Sequence, residues 1–232
     1  MIPSRVLLVG IVAGAILASA FFTQASLLAA RRQRQAAQDA LAVAAFLQEP
    51  PTAKAAPAQR PQGKVQPRAS GRKVKVDPAA ITVDDGDTVT IRWGDKDDEI
   101  VRILGIDTPE TQHIEHNIPI DQPYGREAQT FAQGAFSVAT DVELLRCTTI
   151  DPYGRTLGYL FLNGKNYSLL VIKARLAEES VSRYGDNGFP EIAAEVKAAA
   201  KAAGPLPFES PGLFRSRMRP LSDWMKSQTP AR

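Results

Sequence analysis

Thr88-Val89-Thr90-Ile91-Arg92-Trp93-Gly94-Asp95-Lys96-Asp97-Asp98-Glu99-Ile100-Val101-Arg102-Ile103-Leu104-Gly105-Ile106-Asp107 is the stretch that decides the fold. Its two flanks alternate β-branched and polar residues, and the run between them is built from residues that turn a chain. The pattern predicts strands at Thr88–Trp93 and Ile100–Ile106, joined through a hairpin connection at Gly94-Asp95-Lys96-Asp97-Asp98. Upstream, Lys73–Val83 reads as a further strand. Downstream, residues 126–139 carry apolar side chains at helical spacing. Val142–Ile150 and Thr156–Leu162 then return to strand patterning around Asp151-Pro152-Tyr153-Gly154, and Asn163-Gly164-Lys165 supplies the next turn. A helix is predicted over 167–177. Another starts at Pro190 and stops at Gly204-Pro205, with proline in front and glycine behind. About five strands and three helices in this order predict an α+β, mainly β domain, a small closed barrel decorated with helices.

That domain fills only part of the 232 residues. Residues 6–30 contain no charge, and as a helix they would span about 37 Å, more than the roughly 30 Å hydrocarbon core of a bilayer. They read as a membrane-embedded segment. Ala18-Ser19-Ala20 and Thr23-Gln24-Ala25 offer sites at which a signal peptidase would cut, but the apolar run continues past both, which favours an anchor. Arg31, Arg32 and Arg34 outnumber Arg5 and would draw the C-terminal side inward. Signal-like segments nevertheless usually export the chain behind them, so the expectation is a domain held at the envelope on the extracytoplasmic side. Residues 31–72 hold 8 Lys/Arg against 2 Asp/Glu, and their Ala/Gln and Pro/Ala content predicts a basic linker. With the formal total at +3, residues 73–232 are left at −4. The single Cys147 excludes an intramolecular disulfide and any multi-cysteine metal site. The division is therefore 1–30 anchor or signal, 31–72 linker, 73–217 domain and 218–232 tail.

Three short stretches concentrate chemistry: Asp84-Asp85-Gly86-Asp87-Thr88, the run from Arg102 to Thr111, and Asp151-Pro152-Tyr153-Gly154-Arg155. Asp87 enters one strand and Asp107 leaves another, so a curved hairpin could bring both carboxylates to one place. Two carboxylates with backbone oxygens suit a hard cation such as Ca²⁺. Arg102, five residues before Asp107, would point to the opposite face of a regular strand, so a bulge or bend near Gly105 is required to unite them.

Taken together, Asp-Gly-Asp-Thr-Val at 85–89, Arg-Ile-Leu-Gly-Ile-Asp-Thr-Pro-Glu-Thr at 102–111, Tyr-Gly-Arg-Glu-Ala at 124–128 and Asp-Pro-Tyr-Gly-Arg at 151–155 resemble the ordered signature of the staphylococcal nuclease (thermonuclease) family. The likeness covers about 73–217 and includes Gly-Leu-Phe-Arg-Ser at 212–216. The resemblance implies a five-stranded oligonucleotide-binding (OB-fold) barrel with three helices, monomeric, hydrolysing DNA and RNA phosphodiesters to 3′-phosphate products. It implies Asp87, Asp107 and the Thr108 carbonyl as ligands of Ca²⁺, with Asp85 and Glu110 close by. It implies Arg102, Glu110 and Arg155 as the catalytic set, with Tyr153 near a terminal phosphate. Two departures stand out. Pro152 replaces a lysine that would touch phosphate, and only Tyr184 answers to a pair of tyrosines the family can stack on bases.

Each motif alone has a plainer reading. Asp-Gly-Asp is commonly a turn, Asp-Thr-Pro-Glu a helix start, and isolated strand arginines are surface ion-pair partners. His113 and His116 have the spacing of a transition-metal pair but no third ligand of that type. Cys147 reads as a strand residue, and Trp93, Phe131 and Phe136 as core. The rival functional readings are a non-catalytic nucleic-acid or protein binding module and an envelope structural protein; the combined presence of Arg102, Glu110 and Arg155 favours an enzyme.

Overall fold

The computed structural model describes residues 64–228; the membrane segment expected at 1–30 and most of the linker lie outside the described residues. The strands are β1 (Lys73–Val76), β2 (Ile81–Val83), β3 (Thr88–Arg92), β4 (Asp98–Ile103), β5 (Ile106–Asp107), β6 (Val142–Ile150), β7 (Thr156–Leu162), β8 (Lys165–Asn166) and β9 (Glu178–Glu179). The α-helices are α1 (Gly125–Ser137), α2 (Tyr167–Lys173), α3 (Val181–Tyr184), α4 (Pro190–Ala203) and α5 (Pro211–Gln228).

The main sheet runs β1-β6-β7-β4-β3-β2, with β8 added beside β7. Every pairing in it is antiparallel except β4 with β7. Six strands at about 4.8 Å spacing would put the two edges of a flat sheet about 24 Å apart. Yet β1 and β2 are those edges, and only residues 77–80 join them, a connection that reaches about 17 Å at full stretch. The sheet must curl until its edges approach. The curled mixed sheet with its helices fits an α+β fold of the oligonucleotide-binding type. Val89, Ile91, Val101, Ile103, Leu144 and Leu160 line its interior, each at most 1% exposed.

The expected Lys73–Val83 strand is two strands broken by a 3₁₀ turn at Pro78–Ala80. Pro78 cannot donate to a ladder, and the Asp77 carboxylate accepts the Ala79 N–H at 2.9 Å, so a capped turn replaces strand pairing there. The expected Ile100–Ile106 strand also splits, at Leu104-Gly105. Gly105 has φ +83°, a left-handed conformation that a residue with a Cβ adopts only at a cost. The bend is pinned on all sides: Leu104 N–H donates to the Gly158 carbonyl, Ser168 Oγ donates to the Leu104 carbonyl, and Ser180 N–H donates to the Gly105 carbonyl.

Packed segments lie before residue 73 and past 217. The N–H groups of Gln66 and Gly71 donate to the carbonyls of Thr148 and Arg146, so residues 64–71 run along β6. Gln66 is buried and donates to Thr156 Oγ1 at 3.1 Å. Beneath this strap lies a buried ion pair, Arg146 Nε and Nη2 each 2.7 Å from the Glu99 carboxylate. At the other end α5 runs through Gln228, with Phe214, Met218 and Ser222 forming its buried stripe. The linker and tail assigned from composition thus contribute packed segments. A chain beginning at residue 73 should unfold in urea with a free energy about 1–3 kcal/mol below that of one beginning at Lys64, the cost of orphaning the polar groups under the strap; equal midpoints and slopes would show the strap to be unimportant.

Candidate active site

Asp87 ends the Asp84–Asp87 turn and Asp107 ends β5, and the bend at Gly105 brings them to one guanidinium. Arg102 Nη1 lies 2.7 Å from Asp87 Oδ1, and Nη2 lies 2.8 Å from Asp107 Oδ1. Nη1 also reaches the carbonyls of Asp87 and Ile103. The bend required by the sequence is therefore present. Asp87 Oδ2 accepts the Thr108 N–H at 2.8 Å. Asp85 Oδ1 accepts the Asp87 N–H, shaping the turn. Gly86 lies so close to Thr108 that a Cβ would come within 2.7 Å of its Oγ1. Tyr167 closes the back of the turn by donating to the Gly86 carbonyl at 2.8 Å.

Glu110 is fixed by its backbone: its N–H donates to Gln122 Oε1, its carbonyl accepts the Gln122 N–H, and Gln122 Nε2 donates to the Glu209 carbonyl. Its carboxylate meets a residue that sequence spacing did not single out. Arg215, in the first turns of α5, places Nη2 at 2.7 Å and Nη1 at 3.1 Å from the two Asp107 oxygens, and Nη1 also binds Glu110 Oε1. Arg215 belongs to the Gly212–Ser216 segment, but no periodicity ties it to carboxylates more than 100 positions earlier. The cluster is thus three carboxylates and two guanidiniums.

Burial pushes the Asp87 carboxyl up to about 7, against the pull of Arg102 and with help from Asp85 and Asp107. Burial also penalises the charged form of Asp107, but Arg102 and Arg215 outweigh it and hold this carboxyl below the usual range. Burial raises Glu110 too; Arg215 opposes that, while Asp87 and Asp107 add to it.

Arg155 and Tyr153 are not drawn into this cluster. Arg155 Nε pairs with Asp151 Oδ2 at 2.7 Å, and Tyr153 is 86% exposed. Arg155 immediately precedes β7, in which Thr156 pairs with Val101 and Leu157 with Arg102. His113 and His116 stack with centroids 5.6 Å apart in a loop between β5 and α1, and Cys147 is buried in β6 as its strand reading implied. Phe136 is buried in the core and Phe131 packs against it, whereas Trp93 is 37% exposed and donates Nε1–H to Glu99.

Residues 100–204 match the family model described as staphylococcal nuclease homologue. That stretch is similar to the staphylococcal nuclease family. Among curated proteins, the chain is 41% identical over 96 residues to the thermonuclease of Staphylococcus intermedius, covering 40% of this chain and 53% of that protein. It is 37% identical over 105 residues to the thermonuclease of Staphylococcus hyicus, covering 44% and 56%. It is 31% identical over 112 residues to endonuclease YncB of Bacillus subtilis, covering 48% and 51%. The chain thus spans about half the length of these relatives.

The donor set of this cluster fits a hard divalent cation, since Asp87 and Asp107 are buried, oxygen-only and converge on one point. No group of three or more His, Cys, Asp or Glu among the described residues is arranged to hold a metal ion as it stands. At Asp87, Asp107 and Glu110 the reason is visible: guanidiniums fill the space between the oxygens. Charge balance also sets a pH response. Asp87 has a folded-state pKa near 7 against an ordinary value of 3.8. Folding therefore favours its protonated form, and that stabilisation is complete below 3.8 and fades as pH rises through about 7. In chelator, the thermal midpoint should fall between pH 4 and 7, and Asp87→Asn should flatten most of that slope; an unchanged slope in the variant would reassign the proton.

Proposed function

We propose that this protein is a calcium-dependent nuclease that hydrolyses DNA and RNA phosphodiesters with little sequence preference and leaves 3′-phosphate ends. The observation that carries the reading is Arg102 held between Asp87 and Asp107, with Glu110 attached to the same cluster. Phosphodiester hydrolysis needs an activated water, compensation of charge on the phosphoryl oxygens and a stabilised leaving oxygen. Asp87, Asp107 and the Thr108 carbonyl would hold Ca²⁺, which when bound would supply charge compensation at a phosphoryl oxygen. Glu110, whose affinity for protons burial raises, orients the attacking water and accepts its proton. Arg102 already has its fork fixed by two carboxylates and two carbonyls, so little of its order has to be created when a phosphate arrives. Arg155, just before the β7 strand whose Leu157 pairs with Arg102, would exchange Asp151 for a phosphoryl oxygen. Pro152 offers no charge at the same turn, which weakens nucleotide binding relative to a lysine there.

The location is likewise proposed. Residues 6–30, uncharged and long enough to cross a bilayer, hold the enzyme at the envelope with the nuclease-like domain on the extracytoplasmic side, or direct its export after cleavage. The domain acts as a monomer on exposed polynucleotide.

The deciding experiment is cleavage of plasmid DNA by the purified protein with CaCl₂ or excess chelator, alongside Arg102→Lys and Arg155→Lys. Cleavage should need Ca²⁺, and each lysine variant should keep its fold while losing about 10²–10³-fold in kcat, because an ammonium cannot reproduce two parallel hydrogen bonds. Near-wild-type turnover in folded Arg155→Lys would remove that residue from the catalytic set. Binding of DNA without cleavage in any cation would make the domain a binding module.

A further inference from the structure

We propose that Arg215 is an internal counter-cation that sets the divalent-cation affinity of the site, occupying Asp107 and Glu110 until a cation displaces it. The inference rests on the nuclease reading of the same cluster and deepens it. Both oxygens of Asp107 are taken: Oδ1 by Arg102 and Arg215, Oδ2 by Arg215. A cation that is to use Asp107 must therefore remove one of the two guanidiniums.

The two are not equally removable. The Arg102 side chain is 16% exposed, bonds two backbone carbonyls besides its carboxylates and sits inside the sheet register. The Arg215 side chain is 36% exposed, and among the described residues its hydrogen bonds run only to Asp107 and Glu110. Its carrier helix has other anchors, the buried Phe214, Met218 and Ser222 and the Arg217–Glu209 ion pair. The guanidinium can thus swing into solvent by side-chain rotation, with α5 left in place.

Charge points the same way. Without Arg215, Asp87, Asp107 and Glu110 keep Arg102 as the one guanidinium hydrogen-bonded among them, while the Arg183 charge also acts on Asp107. Arg215 offsets part of the remaining negative charge and gives way to a partner of higher charge. The consequence is a raised threshold, because binding must include the loss of two guanidinium–carboxylate contacts.

The test is isothermal titration of the full-length chain with CaCl₂ alone, without nucleic acid, for the wild type, Arg215→Ala and Arg215→Lys. Arg215→Ala should bind Ca²⁺ roughly tenfold more tightly, and Arg215→Lys, which keeps the charge but cannot span two carboxylates, should fall between. A folded Arg215→Ala with unchanged or weaker affinity overturns the proposal, and so does a lysine variant equal to the wild type, which would reduce the effect to net charge. If the alanine variant does not fold, the wild type still decides. On saturation with CaCl₂ the Arg215 side-chain N–H resonance should shift and exchange faster with water, and an unmoved resonance overturns the proposal. Plasmid cleavage by the wild type separates the two readings. Ca²⁺-dependent cleavage with equal affinities defeats only the role of Arg215, whereas neither cleavage nor Ca²⁺ binding in any form defeats the nuclease reading with it.

Discussion

The structure depends on one guanidinium placed between two buried carboxylates. Asp87 and Asp107 are 6% and 2% exposed; without Arg102 the Asp87 carboxyl would lose its guanidinium and Asp107 would keep Arg215 alone, and breaking such a buried pair costs about 3–5 kcal/mol. Arg102 can meet both only if β4 stops and the chain turns before Asp107. Gly105 makes the turn, and Ser168, Ser180 and Gly158 satisfy the backbone groups that the turn takes out of the ladder. The partners of the bend come from α2, the segment before α3, and β7. The site geometry is therefore a product of how the helices and the parallel β4–β7 pairing close around the hairpin. A substitution at Gly105 would act on the site from a distance, because any Cβ there also approaches the Tyr159 ring and Val196 at 3.3 Å.

How much the residues alone disclose depends on the range of the interactions involved. The strands of the hairpin announce themselves through two-residue alternation and turn composition, and α4 through its proline and glycine ends, since both signals are local. The need for a bend between Arg102 and Asp107 was also legible, because strand alternation forbids the alternative. The strap at 64–71 was not, since Gln66 and Ala69 are ordinary linker residues until Thr156 and Arg146 are placed beneath them. Arg215 was invisible for the same reason. It sits in Gly-Leu-Phe-Arg-Ser at 212–216, a segment that carries family likeness but assigns its arginine no role, while its partners come from the first third of the domain. The pairing of Arg155 with Asp151 is local, four residues apart, yet two roles compete for that arginine and spacing cannot rank them.

The two buried ion clusters show how the same side chains serve different ends. Glu99 accepts two hydrogen bonds from Arg146, one from Trp93 and one from Thr156, and Arg68 Nε of the strap lies 3.7 Å away, so this carboxylate is fully matched by guanidiniums and neutral donors. Its carboxyl is held below the usual range although burial works in the opposite direction. Nothing in that arrangement calls for another charge, and its work is to tie β4, β6 and the strap together. The Asp87, Asp107 and Glu110 cluster has three carboxylates hydrogen-bonded to two guanidiniums, and burial, with the neighbouring carboxylates adding to it, raises proton affinity at Asp87 and Glu110. A packed interior selected for stability alone would shed the third carboxylate, since a surplus of buried negative charge only destabilises. The third carboxylate, beside an arginine whose hydrogen bonds run only to Asp107 and Glu110, is what makes this cluster, and not the better satisfied one, the basis of the proposed cation site.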